Sequence, residues 1–461
     1  MRQILRLIAV IGLLPSLAAA AGFMPRDHRA LARSASYAEM ESFLRSLDGR
    51  GPVRVSVAGT TTKGRSLYLV NLRRSEAPAW TILFYAQQHG DEVSGKDALL
   101  YLIRDFAEKP ETLPADVDLW ILPMMNPDGA EAGTRVNGAG ADLNRDHMTL
   151  DQPETRALHE VVRRVRPHIA VDCHEFGRDS AGYRKRGWEK WPDVTMDGLN
   201  NPLFDPALIA AGNRWVEGAA AAEAEAGHPF LRYWVGGTPP EEEQRHSAPE
   251  IDSGMNAIGA HGTISFIIEA AARRGEEALA NELGSRVDAY LVLLRRFVTG
   301  DGHRDADRAA VENARSRPLP PFLPVNYLWV NPGGSITEFP VTDVATKKTI
   351  RVPTPNKMTA LAVKSSVPTP LGYAIEPSAA DRFRTLLERH GIPFETLAAP
   401  RSVEAEASTL LRVEDAFDDV YSRYEGRQIV RREPAASREL PAGTLWVPLT
   451  GASATRAAIL L

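Results

Sequence analysis

The chain predicts an α/β fold with a largely parallel sheet, on three observations. Apolar runs of strand length at 80–86, 117–121, 169–173 and 263–268 alternate with segments of helical periodicity, the pattern of βαβ units. After the first run, Leu99, Leu102, Ile103 and Phe106 stand at the i, i+3, i+4, i+7 spacing of one helical face. Three of the runs also stop at polar groups, His89 with Glu92, His174, and Glu269. In open α/β sheets ligands bind outside the carboxyl ends of the strands.

The elements follow in order. Arg2 and Arg6, an apolar stretch from Leu7 to Leu17 and four alanines read as a secretory signal peptide over 1–21. Tyr37, Met40, Phe43 and Leu44 mark a short helix, and 53–57 with 67–69 a hairpin around Gly59 and Gly64. The strand at 80–86 meets the His89/Glu92 corner and its helix, which Pro110 and Pro114 end. The strand from Val117 runs into the turn Asn126-Pro-Asp-Gly129, then a glycine-rich loop to Asp142-Leu-Asn144-Arg145. A helix with Pro153 and Glu154 in its first turn precedes the strand ending at His174-Glu175.

From 177 to 262 the sequence reads mostly as loop, with one Ala-rich helix over 206–226. A strand then ends on Glu269, and a helix carrying Tyr290, Leu293, Leu294 and Phe297 stops near Gly300. The expected domains are a catalytic one over 22–302, a linker over 303–325, and a smaller α/β or α+β accessory domain over 326–461. In the latter, Ser378 and Asp381 look like a capping box for a helix stopped by Gly391.

At 461 residues there is ample chain for a buried core, and 44% apolar with 25% charged residues is ordinary globular composition. A net charge of −5 creates no field for nucleic acid or an anionic membrane surface. No stretch after the signal reads as a membrane span, so stable insertion is not expected once the signal is cleaved. The lone Cys173 cannot form an internal disulfide and reads as a small core residue.

His89, Glu92 and His174 have the composition of a catalytic zinc site, three protein ligands and one position left for water. Such a metal brings the pKa of its water towards about 7. Glu269, alone at the end of an apolar strand, is the candidate to take that proton and pass it to a leaving nitrogen. Arg135 is a candidate to stabilise an oxyanion, Asn144 and Arg145 to clamp a substrate carboxylate, and Asp142 to orient a ligand histidine. His147, His159, His168, His246 and His261 read as ordinary surface or core residues.

The ordered set of H-x-x-E, N-P-D-G, Arg, N-R, D-x-H and a strand-terminal Glu resembles the zinc carboxypeptidase family, the carboxypeptidase A-like metallopeptidases. The resemblance spans roughly Tyr37 to Gly300. It implies a mixed, mostly parallel eight-stranded sheet with helices on both faces. It also implies one Zn2+ per chain on His89, Glu92 and His174, with Glu269 as base and acid. Arg135 would then polarise the scissile carbonyl, and Asn144 with Arg145 grip a peptide's free C-terminal carboxylate.

The chain departs from the family's pattern: no tyrosine lies between Arg245 and Gly262, and Tyr233 is the nearest upstream candidate for the family's loop tyrosine. Asp252, Ser253 and Met255 are alternative floors for the side-chain pocket. The expected activity is a secreted or periplasmic metallocarboxypeptidase. The alternatives are a deacylase of N-acyl amino acids, a cell-wall peptide amidase, or a non-catalytic binding protein on the same fold. The sequence leaves the oligomeric state open.

Overall fold

The computed structural model describes residues 23–272, 276–332, 337–355, 357–418 and 423–461. The signal-peptide reading over 1–21 lies outside the described residues. Eight strands form the central sheet: β1 (Val53–Thr60), β2 (Ser66–Arg73), β3 (Trp80–Ala86), β4 (Val117–Leu122), β5 (Ile169–Gly177), β6 (Val194–Gly198), β7 (Phe230–Arg232) and β8 (Ile264–Ala272). Their order is β1-β2-β4-β3-β5-β8-β6-β7. The pairs β4/β3, β3/β5, β5/β8 and β6/β7 are parallel and the other three antiparallel, so the sheet is mixed and mostly parallel.

β3 is apolar apart from half-buried Thr81 because both of its faces are covered. Ile82 and Phe84 join the larger core with helices α1 (Tyr37–Leu47), α2 (Ser94–Glu108), α4 (Pro206–Ala226) and α5 (Glu276–Thr299). Leu83 and Tyr85 face the smaller core with α3 (Pro153–Val165). Successive strand residues point to opposite faces, which explains the split. From β3 the chain moves to β4 on one side, while β5 lies on the other. The switch point of the sheet is therefore at the carboxyl ends of β3 and β5.

Two backbone approaches draw this corner tight. A Cβ on Gly95, in the first turn of α2, would lie 2.6 Å from the Cβ of Cys173. One on Gly90 would lie 2.1 Å from the Gly129 carbonyl carbon. Asn126 locks the second approach, accepting from the Gly129 N–H and donating to the carbonyls of Gln88 and Arg135. Cys173 is buried against α2, and burial pushes its thiol pKa up.

Three expectations need correcting. The 177–262 stretch supplies two strands of the main sheet, β6 and β7, and further strands at Trp188–Lys190, Val235–Gly236 and Gln244–Arg245. At two to five residues these are too short to show a periodicity.

The stretch read as a linker holds helix α6 (Arg304–Ser316), which packs on α4 through buried Ala310 and Val311. Asp307 anchors it, accepting from Trp215 Nε1 at 2.8 Å and pairing with Arg214. A helix docked by a buried acid and two small residues leaves little hydrophobic signal.

The third correction concerns α7 (Ala380–His390). It ends on Gly391 at φ 62° as expected, but starts after Ala379 with no side-chain cap, so Ser378 and Asp381 make no capping box.

The remaining C-terminal strands are partly woven into the rest of the chain. Thr337–Asp343 pairs with Trp188–Lys190, and Lys357–Met358 with Gln244–Arg245. Phe339 and Val341 pack with Tyr183 against Trp188, Leu231 and Trp234. A separate three-stranded sheet, with Leu445–Pro448 between Gly372–Ile375 and Glu395–Thr396, packs against α7. Arg401–Asp418 and Arg423–Leu440 form a long antiparallel ribbon. No helix among the described residues is long and apolar enough to cross a membrane.

Candidate active site

His89 and Glu92 follow β3 at the turn into α2, and His174 sits near the end of β5. Their donor atoms all lie within 4.8 Å of one another. Glu92 Oε1 is 2.8 Å from His89 Nδ1, Glu92 Oε2 is 2.8 Å from His174 Nδ1, and the two Nδ1 atoms are 3.1 Å apart. The outer nitrogens are also held. His89 Nε2 is 3.1 Å from Asp142 Oδ1, and His174 Nε2 is 3.0 Å from Asp172 Oδ2. Each imidazole thus presents Nδ1 to the centre with its other nitrogen on a carboxylate, the arrangement that fixes the tautomer of a metal-bound histidine.

The electrostatics agree. Burial disfavours charge on both rings, yet Glu92 with Asp142 or Asp172 outweighs it and raises both imidazole pKa values. Burial also works against the Glu92 carboxylate, and the facing imidazoles still hold it well below the usual range. The three groups favour positive charge between them, and two imidazoles with one carboxylate is a donor set that fits zinc.

In register, Glu269 of β8 pairs with His174 of β5, so their side chains share one face of the sheet. Burial raises the Glu269 carboxyl above its ordinary pKa. Lys190 lies near enough to favour the carboxylate and is itself lowered, first by burial. Both Glu269 and Glu92 line a cavity of ≈ 220 Å³.

Arg135 stands half-exposed at its edge, 3.0 Å from Asp142 Oδ2 and 3.4 Å from Glu92 Oε1. Arg145 lines the same cavity, donates from Nη1 to the Asn144 carbonyl at 2.6 Å, and has Nε 3.7 Å from Asp252 Oδ2. The Asn144 amide is largely engaged within the protein. Its Oδ1 accepts from the Gly254 N–H at 2.8 Å, and its Nδ2 lies 3.2 Å from His174 Nε2.

All seven expected site residues except His174 line this cavity, and His174 sits directly behind it in contact with Glu92. Tyr233 and the three pocket candidates, Asp252, Ser253 and Met255, are on its wall, with Val235, Ala248 and Ile267 adding apolar surface. Two residues that the sequence marks only as polar neighbours of His174 belong here. Asp172 is two positions before His174, and i, i+2 spacing on a strand puts both on one face, so that signal was present. Glu175 lines the cavity and accepts from the Ser94 N–H at 2.8 Å, which no local pattern announces.

An α/β sheet with a His-Glu-His cluster at its switch point and a buried carboxylate beside it is an arrangement suited to metal-assisted hydrolysis. Residues 40–159 match the family described as zinc carboxypeptidase. The chain is 26% identical over 200 residues to carboxypeptidase 2 of Trichophyton rubrum, covering 39% of this chain and 35% of that protein. It is 29% identical over 245 residues to carboxypeptidase D of Rattus norvegicus, covering 42% of this chain and 17% of that one. The chain therefore spans about a third or less of the length of these curated relatives. A metallo-carboxypeptidase from Pseudomonas aeruginosa, solved with (2-guanidinoethylmercapto)succinic acid, is 25% identical with a TM-score of 0.47, covering 60% of this chain and 70% of that one.

Proposed function

We propose that this chain is an exported zinc carboxypeptidase that removes the C-terminal residue of peptides bearing a free carboxylate. One observation carries the reading: the His89-Glu92-His174 cluster opens into a cleft that also holds Glu269, Arg135 and Arg145. Zinc bound there would supply a Lewis acid and lower the pKa of water towards about 7.

The chain's own residues do the rest. Glu269, raised by burial, accepts the proton of the attacking water and returns it to the departing nitrogen. Arg135 donates to the carbonyl oxygen as charge develops on it. Arg145 pairs with the substrate carboxylate, with Asn144 beside it. Tyr233 covers the substrate from the opposite wall, and Val235, Ala248, Met255 and Ile267 favour an apolar terminal side chain.

In this reading residues 22–302 are the catalytic part and 303–325 connect it to the accessory part, 326–461, whose strands stiffen the cleft's outer wall. Export is proposed from the signal-like 1–21, and N-terminal sequencing of the mature protein tests it.

A mass-resolved digest of mixed peptides, with and without a zinc chelator, tests the activity. Chelator-sensitive loss of single C-terminal residues from free acids, and not from amides, is expected. No trimming by zinc-loaded protein overturns the reading.

A further inference from the structure

Behind the metal cluster, on the side away from the cleft, a line of buried polar side chains runs into the smaller core. Asp172 Oδ2 meets His174 Nε2 at 3.0 Å and Gln88 Nε2 at 2.7 Å. Gln88 Oε1 is 2.8 Å from His147 Nε2, and His147 Nδ1 is 3.1 Å from His159 Nε2. Asp172, Gln88 and His147 are fully buried and His159 is 1% exposed; neither histidine lines the cavity, so no substrate reaches them.

The direction of every bond in this line is forced. A carboxylate only accepts, so Gln88 turns its amide nitrogen to Asp172 and its carbonyl to His147. A carbonyl only accepts, so His147 carries its proton on Nε2 and, as a neutral ring, offers a lone pair at Nδ1. His159 must then donate from Nε2 and keep a bare Nδ1. His159 Nδ1 indeed has no partner among the described residues. Burial keeps both rings neutral, pushing His147 down to about 4 and His159 well below its ordinary value.

We propose that Gln88 and His147, backed by His159, are positioning residues of the metal centre. Their one-way hydrogen-bond chain anchors Asp172, which holds His174 with Nδ1 open to the metal. The reason is the environment of Asp172. It is fully buried; Gln88 and His174 both bond its Oδ2, the buried Tyr85 hydroxyl also hydrogen-bonds the carboxylate, and no nitrogen donor reaches its Oδ1 among the described residues. A buried carboxylate depends on each of its donors, and of these Gln88 is itself oriented by a further buried side chain, His147. Gln88 is a dependable donor only while His147 holds the other end of its amide; released, the amide can turn its oxygen towards Asp172.

The inference rests on reading the cluster as a zinc site, and its test separates the two. Apoprotein is titrated with zinc against a chromophoric chelator, and the cobalt-loaded protein's absorption spectrum is recorded. Wild type should bind one equivalent. His147→Leu and, independently, Gln88→Met should weaken zinc binding about 10- to 100-fold, the usual effect of removing a partner behind a metal ligand. Both should also shift the cobalt spectrum. His147→Gln, whose amide can still donate to Gln88 Oε1, should restore most of the affinity and the spectrum.

Wild-type affinity and spectrum in both Gln88→Met and a folded His147→Leu would assign the chain to packing alone and overturn the proposal. So would a His147→Gln variant as weak as His147→Leu. A wild-type protein that binds no zinc would instead sink the metal-site reading, and this one with it.

Discussion

On one side of the cleft, His89, Glu92, His174 and Glu269 are carried by the ends of β3, β5 and β8, three neighbouring strands hydrogen-bonded along most of their length. On the other side, Tyr233, Val235, Ser247, Ala248 and Asp252 come from the 177–262 insertion, whose strands are two to five residues long. That wall is completed from outside: Thr337–Asp343 and Lys357–Met358 pair with insertion strands, and Phe339 packs beneath Trp234 with ring centroids 4.5 Å apart. The contrast separates two tasks. Of the proposed metal-centre groups, His174 and Glu269 sit on paired strands, and His89 and Glu92 on the tight turn just beyond one. The groups proposed to meet the variable part of a substrate sit on short pieces held by side chains.

If the division holds, damage to each side should have a different signature. The largest effect is expected on the sheet side: Glu269→Gln should keep zinc and lower kcat about 10²- to 10⁴-fold. A variant that loses zinc as well would show that Glu269 belongs to the metal's own shell.

Next is Arg145→Ala, which removes a charged hydrogen bond worth about 1.5–3 kcal/mol. It should raise KM for free-acid peptides roughly 10- to 100-fold while leaving any residual cleavage of amidated ones unchanged. Equal loss on both would refute the clamp.

Smaller still is Phe339→Ala. Phe339 is 1% exposed and packs with Val341, Tyr183 and Trp234 behind the outer wall, so truncating it should loosen that wall. KM should rise severalfold with zinc affinity intact. A fall in zinc affinity would mean that the two sides are mechanically coupled.

The mildest test is pH. Glu223, on α4 in the insertion, is fully buried with neither carboxylate oxygen partnered among the described residues. Burial, aided by Asp288 and Asp193, pushes its pKa from 4.5 up to about 9. The folded protein keeps it protonated and the unfolded chain does not, so its stabilising contribution is complete below about 4.5 and is lost as pH rises through about 9. Glu223→Gln should therefore melt a few degrees above wild type at pH 8 and lose that advantage near pH 5, as read by thermal unfolding. Parallel curves at both pH values would contradict the buried-acid assignment.

Legibility follows the same division. The metal corner was readable because strand, turn and helix are local patterns and their polar ends are conspicuous against apolar runs. Asp142 was readable as a histidine's partner and lies 3.1 Å from His89 Nε2. Gln88 and His147 were not: nothing in Gln-His or Asp-His as dipeptides says that residues 59 apart meet inside the core. His147 passes as an ordinary histidine, since its role comes only from what it faces. The docking of α6 through Asp307 and Trp215 is equally silent in sequence.

Taken alone, the amino-acid order determines the α/β alternation, the apolar two-sided strands, and the polar residues after them that are the proposed ligands and base. Those depend on periodicity and on residue chemistry within a few positions. Only the tertiary structure decides that β6 and β7 complete the sheet, and that C-terminal strands pair with the short strands of the cleft's outer wall. It alone turns a glutamine and two histidines into a directed line behind His174. These are pairings between distant segments, each too short to register in sequence, and they form because buried donors and strand edges must find partners once the core has closed.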